Sequence, residues 1–287
     1  MPELPEVHAL ATELDARLRG RVIERLQVVA FPALKTYDPP VEALAGERIA
    51  GVARHGKFLD VSTEGGPHLV MHLARAGWVR WRAGAPKTSG RPGSGPLAAR
   101  LVLDDGSGFD VTEAGTKKSL ALYVVRDPAE VPGIARLGPD PLAADFTLER
   151  FRGILAEQGR TQLKGVLRDQ SVIAGVGNAY SDEILHLARM SPYKPAAMGE
   201  EDSAALFDAL RTTLADAVAR AEGTAATELK AEKKSKLRVH GRFGEPCPVC
   251  GRRIEQVILA DRTFQYCPGC QTGGRKLSDR VLDRLLK

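Results

Sequence analysis

Four cysteines constrain this chain more than any other feature: Cys247-x2-Cys250, an interval of 16 residues, then Cys267-x2-Cys270. The spacing fits a four-thiolate zinc ribbon, with Pro248 and Gly251 around one tight turn and Pro268 and Gly269 around the other. Four protein ligands leave no open coordination position, so one structural zinc ion is predicted, holding a hairpin. All four lie near the C-terminal end of 287 residues and cannot staple the rest as a disulfide framework would. The rest must fold on its own core. A hydrophobic fraction of 43% over that length is enough for two compact domains and a small appendage, and it excludes disorder and collagen.

Charge separates along the chain in the same way. Residues 1–223 carry 27 Lys and Arg against 29 Asp and Glu, whereas residues 224–287 carry 14 against 7. A basic C-terminal segment points to a polyanionic partner, because each phosphate contact releases counterions; a solvated face is the other reading of charge alone. No stretch approaches the roughly 18 apolar residues of a membrane helix, and MPELPEVHAL lacks the plan of a signal peptide. The expectation is a cytoplasmic protein with no membrane contact.

Hydrophobic periodicity gives an α+β chain. Val7, Leu10, Ala11, Leu14 and Leu18 recur at helical spacing and Gly20 ends the run, so residues 5–19 read as one amphipathic helix. Eight short β-type runs follow between Arg21 and Arg126, from RVIERLQVV to SLALYVV. Their spacing predicts an antiparallel sandwich or barrel, with a Gly-, Pro- and Ser-rich loop over residues 83–96. Pro128, Pro132, Pro139 and Pro141 mark a linker. Four helical segments come next, at Thr147-Glu157, Thr161-Arg168, Asn178-Ala188 and Glu200-Glu222. The predicted organisation is 1–126 sandwich, 127–146 linker, 147–238 helical domain, 239–272 zinc finger and 273–287 extension.

Three further places carry chemistry. Removal of Met1 before Pro2 would leave a secondary amine whose pKa, near that of other α-amino groups, keeps a useful fraction nucleophilic at neutral pH. Glu3 and Glu6 supply a proton donor and a positioning carboxylate; a plain helix start, with Pro5 in the first turn, explains the same residues. Gly175-Val176-Gly177-Asn178 precedes a helix, with Asn178 as the expected N-cap and free N–H groups for an anion; a tight interhelical turn is the alternative. Lys57, at the strand start HGKFLD, reads by itself as an exposed edge-strand charge, and Arg262, on the finger hairpin, reads either as a phosphate contact or as an ordinary exposed charge.

Taken in order, MPELPEV, RHGKFL, HLVMHL, DQSVIAGVGNAYSDEIL and VHGRFGEPCPVCG through YCPGCQ resemble the formamidopyrimidine-DNA glycosylase and endonuclease VIII family of base-excision repair enzymes. The resemblance spans nearly the whole chain. It implies an N-terminal helix plus antiparallel β-sandwich, a helix-two-turns-helix motif and a C-terminal zinc finger, with damaged DNA bound between domains. It implies glycosylase and abasic-site lyase activity, with Pro2 attacking the sugar C1′ of a flipped nucleotide and Glu3 protonating the opening ring. Lys57 joins them in the catalytic set and, with His72, Asn178 and Arg262, matches phosphate-binding positions; Glu6 matches a supporting acid. Zinc is the one cofactor implied. A damage-binding protein of the same fold, without efficient base excision, is the other reading.

The departures from the family pattern concern what fills and caps the vacated base site. HLARAG places Arg75 where the formamidopyrimidine branch has a Met, and TEAGTKKSL replaces its DPRRFG-type turn, leaving Arg75 or Lys117 to fill the gap. The segment that caps an oxidised purine reads ELKAEKKSK, residues 228–236, and suits a continuous helix. Beyond Cys270, Leu277, Val281 and Leu285 suggest a short amphipathic helix that packs on its own protein or docks a partner. A monomer is expected.

Overall fold

A computed structural model describes residues 1–84, 95–259 and 262–277, together with the backbone but not the side chains of Leu259 and Arg262. Most of the loop expected at 83–96 and of the helix expected at 273–287 lies outside the described residues. The chain forms two compact units: residues 1–137 with 220–230, and residues 138–219 with 231–287.

Unit 1 opens with helix α1 (Leu4–Leu18). Its apolar stripe, Leu4, Val7, Leu10, Leu14 and Leu18, is 0–3% exposed, so each side chain contributes about 1.5–3 kcal/mol of transfer free energy. The helix lies against β2 (Ile49–His55) and β3 (Phe58–Thr63). With β4 (His68–His72) and β8 (Ala121–Val125) these form one antiparallel sheet, in the order β2-β3-β4-β8. The second sheet runs β1-β6-β7-β5, from Ile23–Val28, Leu97–Leu103, Gly108–Glu113 and Gly77–Arg82. Strand alternation explains the sandwich: Leu59 and Val61 of β3, Leu69 and Met71 of β4, and Leu101 and Phe109 of the other sheet share one buried core.

The proline-rich segment is more ordered than a linker. Pro128–Glu130 forms a short 3-10 turn and α2 (Pro132–Ala135) follows, with Val131 and Ile134 packed against Val70, Val125, Phe58 and Tyr123. Prolines at first-turn positions start these helices where the missing N–H costs nothing. The division into units falls after residue 137, and residues 220–230 rejoin unit 1. Ala221 and Leu229 enter its core there, and Trp78 donates its indole N–H to the Ala226 carbonyl at 3.0 Å.

Unit 2 contains α3 (Leu148–Gln158), α4 (Leu163–Arg168), α5 (Asn178–Leu187) and most of α6 (Glu200–Ala221). The lysine-rich segment is helical as expected, giving α7 (Leu229–Lys236), which begins in unit 1. The hairpin β9 (Glu255–Leu259) and β10 (Arg262–Tyr266), then the one-turn helix α8 (Pro268–Gln271), complete the finger.

Candidate active site and zinc centre

The start of α1 fixes the candidate nucleophile. Pro2 and Glu3 are buried while Met1 is exposed. Glu3 is the N-cap, and its backbone N–H donates to the Glu6 carboxylate at 2.8 Å in a capping-box arrangement. Glu6 therefore holds the backbone that carries Pro2 and Glu3. Both carboxylates lie at the positive end of the helix dipole, where negative charge is favoured.

Lys57, expected at the strand start as an exposed charge, sits instead in the two-residue turn between β2 and β3, one place before the strand, and is 7% exposed. Gly56 makes that turn possible with φ 55, a left-handed conformation that a side chain would disfavour. His72 ends β4 opposite Phe58, and their rings lie 4.7 Å apart. Burial, with the charge of Lys57 adding to it, lowers the His72 pKa to about 4, so the imidazole is neutral at neutral pH. Lys57 thus acts directly on the His72 imidazole.

Arg75 and Lys117 fall on two loops that touch. Arg75 is exposed in the turn between β4 and β5, where Ala74 takes φ 51. The Ala114 N–H donates to the Ala76 carbonyl at 3.3 Å, and a Cβ on Gly115 would come within 3.0 Å of the Ala76 methyl. Buried Glu113 closes the second loop by accepting from the Ser119 and Leu120 N–H groups at 2.8 and 3.1 Å, leaving Lys117 exposed.

In unit 2 the segment between α4 and α5 is zipped by Gln170. Its amide donates to the Arg168 and Val176 carbonyls at 2.8 and 2.7 Å and accepts from the Gly175 N–H at 3.0 Å. The N-cap of α5 is Gly177 rather than Asn178, because the Asn178 side chain has another task. Asn178 Nδ2 donates to the Thr263 carbonyl at 2.7 Å, so the expected anion site and the finger strand that carries Arg262 are joined. The Arg262 backbone pairs with Leu259 in the hairpin.

Helix α5 also carries polar residues that sequence reasoning missed. Asp182, 1% exposed, accepts from Lys164 Nζ at 2.5 Å and from the Gln265 N–H at 3.2 Å, and pairs with His240 Nδ1 at 2.6 Å. Glu183 accepts the backbone N–H groups of Arg238, Val239 and His240 at 2.7–3.0 Å; burial pushes its carboxyl up despite them. His186, 2% exposed, places Nε2 3.3 Å from Cys247 Sγ. An Asp-Glu pair inside a helix reads as a solvated face, and these partners lie 18 to 83 positions away, so no local signal marks them.

The four cysteines converge as their spacing predicts. Cys247 Sγ lies 3.9 Å from Cys270 Sγ, and Cys250 Sγ lies 3.4 Å from Cys267 Sγ. A tetrahedron with Zn–S bonds of ~2.3 Å has sulfur–sulfur edges of ~3.8 Å, so the set fits zinc, whereas a disulfide needs ~2.05 Å. The Arg252 backbone hydrogen bond lowers the Cys250 thiol to about 7, while burial raises Cys267 to about 11 and Cys270 further. Such crowded thiols favour joint ionisation only around a cation. Zinc here is structural: the four sulfurs fill its coordination.

A sandwich with its nucleophile candidate at the first helix, and a two-turn helix pair clamped to a zinc hairpin, define the helix-two-turns-helix class of DNA glycosylases. Residues 1–116 match the formamidopyrimidine-DNA glycosylase N-terminal domain, residues 137–228 its H2TH domain, and residues 244–273 the zinc finger found in FPG and IleRS. The formamidopyrimidine-DNA glycosylase of Heliobacterium modesticaldum is 36% identical over 283 residues, covering 94% of this chain and 100% of that protein. The crystal structure of the Thermus thermophilus MutM (Fpg) protein aligns with TM-score 0.79 at 34% identity, over 96% and 100% of the two chains. Lactococcus lactis Fpg, non-covalently bound to DNA containing an AP site, aligns with TM-score 0.80 at 26% identity, over 94% and 99%. The chain belongs to the formamidopyrimidine-DNA glycosylase family.

Proposed function

We propose that this base-excision repair DNA glycosylase also cleaves abasic strands, through a Schiff base at Pro2. The observation that carries this reading is the N-terminus: a buried proline at the head of α1, with the adjoining Glu3 backbone held by Glu6. Once Met1 is removed, the Pro2 amine attacks C1′, the glycosidic bond breaks, and the base leaves with a proton. Glu3 protonates the opening sugar ring. The resulting iminium makes the C2′ proton acidic, so elimination expels the 3′ phosphate. Lys57 and His72 serve the phosphates beside the flipped nucleotide, and Asn178 and Arg262 the adjoining backbone. The finger's zinc supplies no chemistry; it fixes the hairpin that carries Arg262.

The substrate is damaged DNA, and the reading favours abasic sites and small or poorly stacked lesions over 8-oxoguanine paired with cytosine. Helix α7 occupies the segment where a capping loop would enclose a large purine, and extruding a poorly stacked base costs less. The protein acts as a cytoplasmic monomer; Leu277 packs on the finger beside Phe264 and Tyr266, and the rest of the segment expected either to pack on its own protein or to dock a partner lies outside the described residues. Borohydride trapping on abasic-site DNA tests the mechanism. Pro2→Gly should remove most of the covalent product, and Glu3→Gln should keep DNA binding while losing excision. Trapping undiminished by Pro2→Gly would move the amine to a lysine, with Lys57 first.

A further inference from the structure

The zinc centre has more donors than it needs. His186 Nε2 and the sulfurs of Cys247, Cys267 and Cys270 all lie within 4.8 Å of one another. Two four-donor sets therefore overlap: four sulfurs, or three sulfurs and an imidazole. The shared sulfurs belong to buried or half-buried cysteines, whereas Cys250 is exposed on the outer knuckle beside Val249, which is 55% exposed. If one ligand is to leave, Cys250 is the one the fold holds least.

We propose that His186 is a reserve ligand of the finger's metal, contacting the Cys247 sulfur while four cysteines bind and taking the Cys250 position when that thiolate leaves. The Nε2 to Cys247 distance of 3.3 Å suits an N–H···S contact. It is also within a few tenths of an ångström of the ~3.6 Å edge expected between sulfur and imidazole ligands of one zinc ion. The sulfurs of Cys267 and Cys270 lie within 4.8 Å of the same nitrogen, so binding asks the ring to close on them by roughly an ångström at most. The ring is 2% exposed, and Nδ1 has no hydrogen-bond partner among the described residues, so nothing else accounts for burying an imidazole there. In the exchange the metal–Sγ bond of Cys250 breaks and a metal–Nε2 bond forms. The imidazole proton passes from Nε2 to Nδ1 through water, and the released thiolate takes a proton from solvent. No electrons change hands.

The position of His186 gives the exchange a purpose. It stands on α5, a turn beyond Asp182 and Glu183, and the same helix begins at Asn178, which holds β10. An ion held by His186 stays tied to that helix even when the outer knuckle lets go.

Cobalt(II) and zinc binding to the full chain test this without any activity assay. Cys250→Ser should still bind one equivalent of cobalt, with thiolate-to-cobalt charge-transfer intensity reduced by about a quarter, one sulfur of four. His186→Ala in the otherwise native chain should weaken metal binding by roughly tenfold, the low end of what loss of an outer contact costs. In the Cys250→Ser background the same change should cost at least about 100-fold. His186→Gln, which keeps the volume and helical circular dichroism, should reproduce the result if Ala disturbs folding. The proposal is overturned if Cys250→Ser alone loses the metal, or if the His186 substitutions cost the same factor in both backgrounds.

Discussion

The two units bury charge in different ways. In unit 1 the inter-sheet core is apolar throughout, and the buried charges lie off it: Asp60 alternates with core residues Leu59 and Val61 and pairs with His55 and His68 at 3.0 and 2.8 Å. The candidate catalytic groups sit at element ends, Pro2 and Glu3 before α1 and Lys57 in a turn. In unit 2 charged and polar groups are the joint itself, because Lys164, Asp182, Glu183 and His186, each at most 5% exposed, fasten α5 to its neighbours and the finger. Unit 1 thus separates its candidate chemistry from stability, whereas unit 2 binds the candidate phosphate ligand Asn178 and its stability into one network. Substitutions should therefore unfold one unit and spare the other according to where they fall.

The largest effect tests that contrast directly. Asp182→Ala takes away the carboxylate that balances the buried Lys164 ammonium, leaving neutral partners such as the Asn178 carbonyl and the Ser181 hydroxyl, and breaking a buried pair from one side costs about 3–5 kcal/mol. Hydrogen exchange should show loss of protection in residues 138–219 and 231–277 with the sandwich unchanged, while Lys57→Ala should shift stability by about 1 kcal/mol at most. Equal destabilisation of both units by Asp182→Ala would break the comparison.

Acid should weaken unit 1 through one identifiable group. His72 is held at about 4 in the folded chain against 6.5 for the ordinary group, so between these values the unfolded chain binds the proton and the folded one does not. That contribution is complete above pH 6.5 and is lost as pH falls toward 4, amounting to about 3 kcal/mol. Both tryptophans, Trp78 and Trp81, lie in unit 1, so their fluorescence during urea unfolding reports this slope. His72→Phe should flatten it. A slope unchanged in that variant would assign the acid sensitivity to other groups.

What the sequence disclosed follows the same division. All eight strands, α1 and the cysteine knuckles were legible, because period-2 alternation, helical spacing and the paired C-x2-C turns are local signals. Helix α7 was legible too, since ELKAEKKSK contains nothing that breaks a helix. The polar joint of unit 2 was not. Asp182, Glu183 and His186 look like one turn of an amphipathic helix until Arg238, His240, Cys247 and Gln265 are brought to them. Asn178 misled for a related reason: its position suits an N-cap, yet its amide serves the finger strand, and Gly177 caps instead.

A smaller effect is expected at the finger. Arg262→Ala should weaken DNA binding alike across sequences and reduce the slope of log affinity against log salt by about one, the signature of a single phosphate contact. Because the Arg262 backbone is paired with Leu259 of β9, the substitution should leave metal content and the protection of α5 intact. A fall in stability along with affinity would show that unit 2 ties Arg262 into the joint as well.

The smallest effect decides what fills the space left by a flipped base. Arg75 is exposed on a turn bent by Ala74 at φ 51, and the loop bearing Lys117 is fastened to that turn through Ala114 and Ala76, so both candidates project from one corner of unit 1. A guanidinium can stack on bases and hydrogen-bond to an orphan partner, whereas an ammonium does only the second. Stacking on a base contributes about 1–3 kcal/mol, so Arg75→Ala should lower cleavage of duplex abasic DNA by about tenfold. Single-stranded substrate has no vacated stack to fill, and its cleavage should fall far less. Lys117→Ala should lower both substrates by a similar small factor, through lost charge alone. If Lys117→Ala gives the larger duplex-selective loss, the gap is filled from the neighbouring loop. If Arg75→Ala lowers both substrates equally, Arg75 is a backbone contact and the duplex is held open by something else.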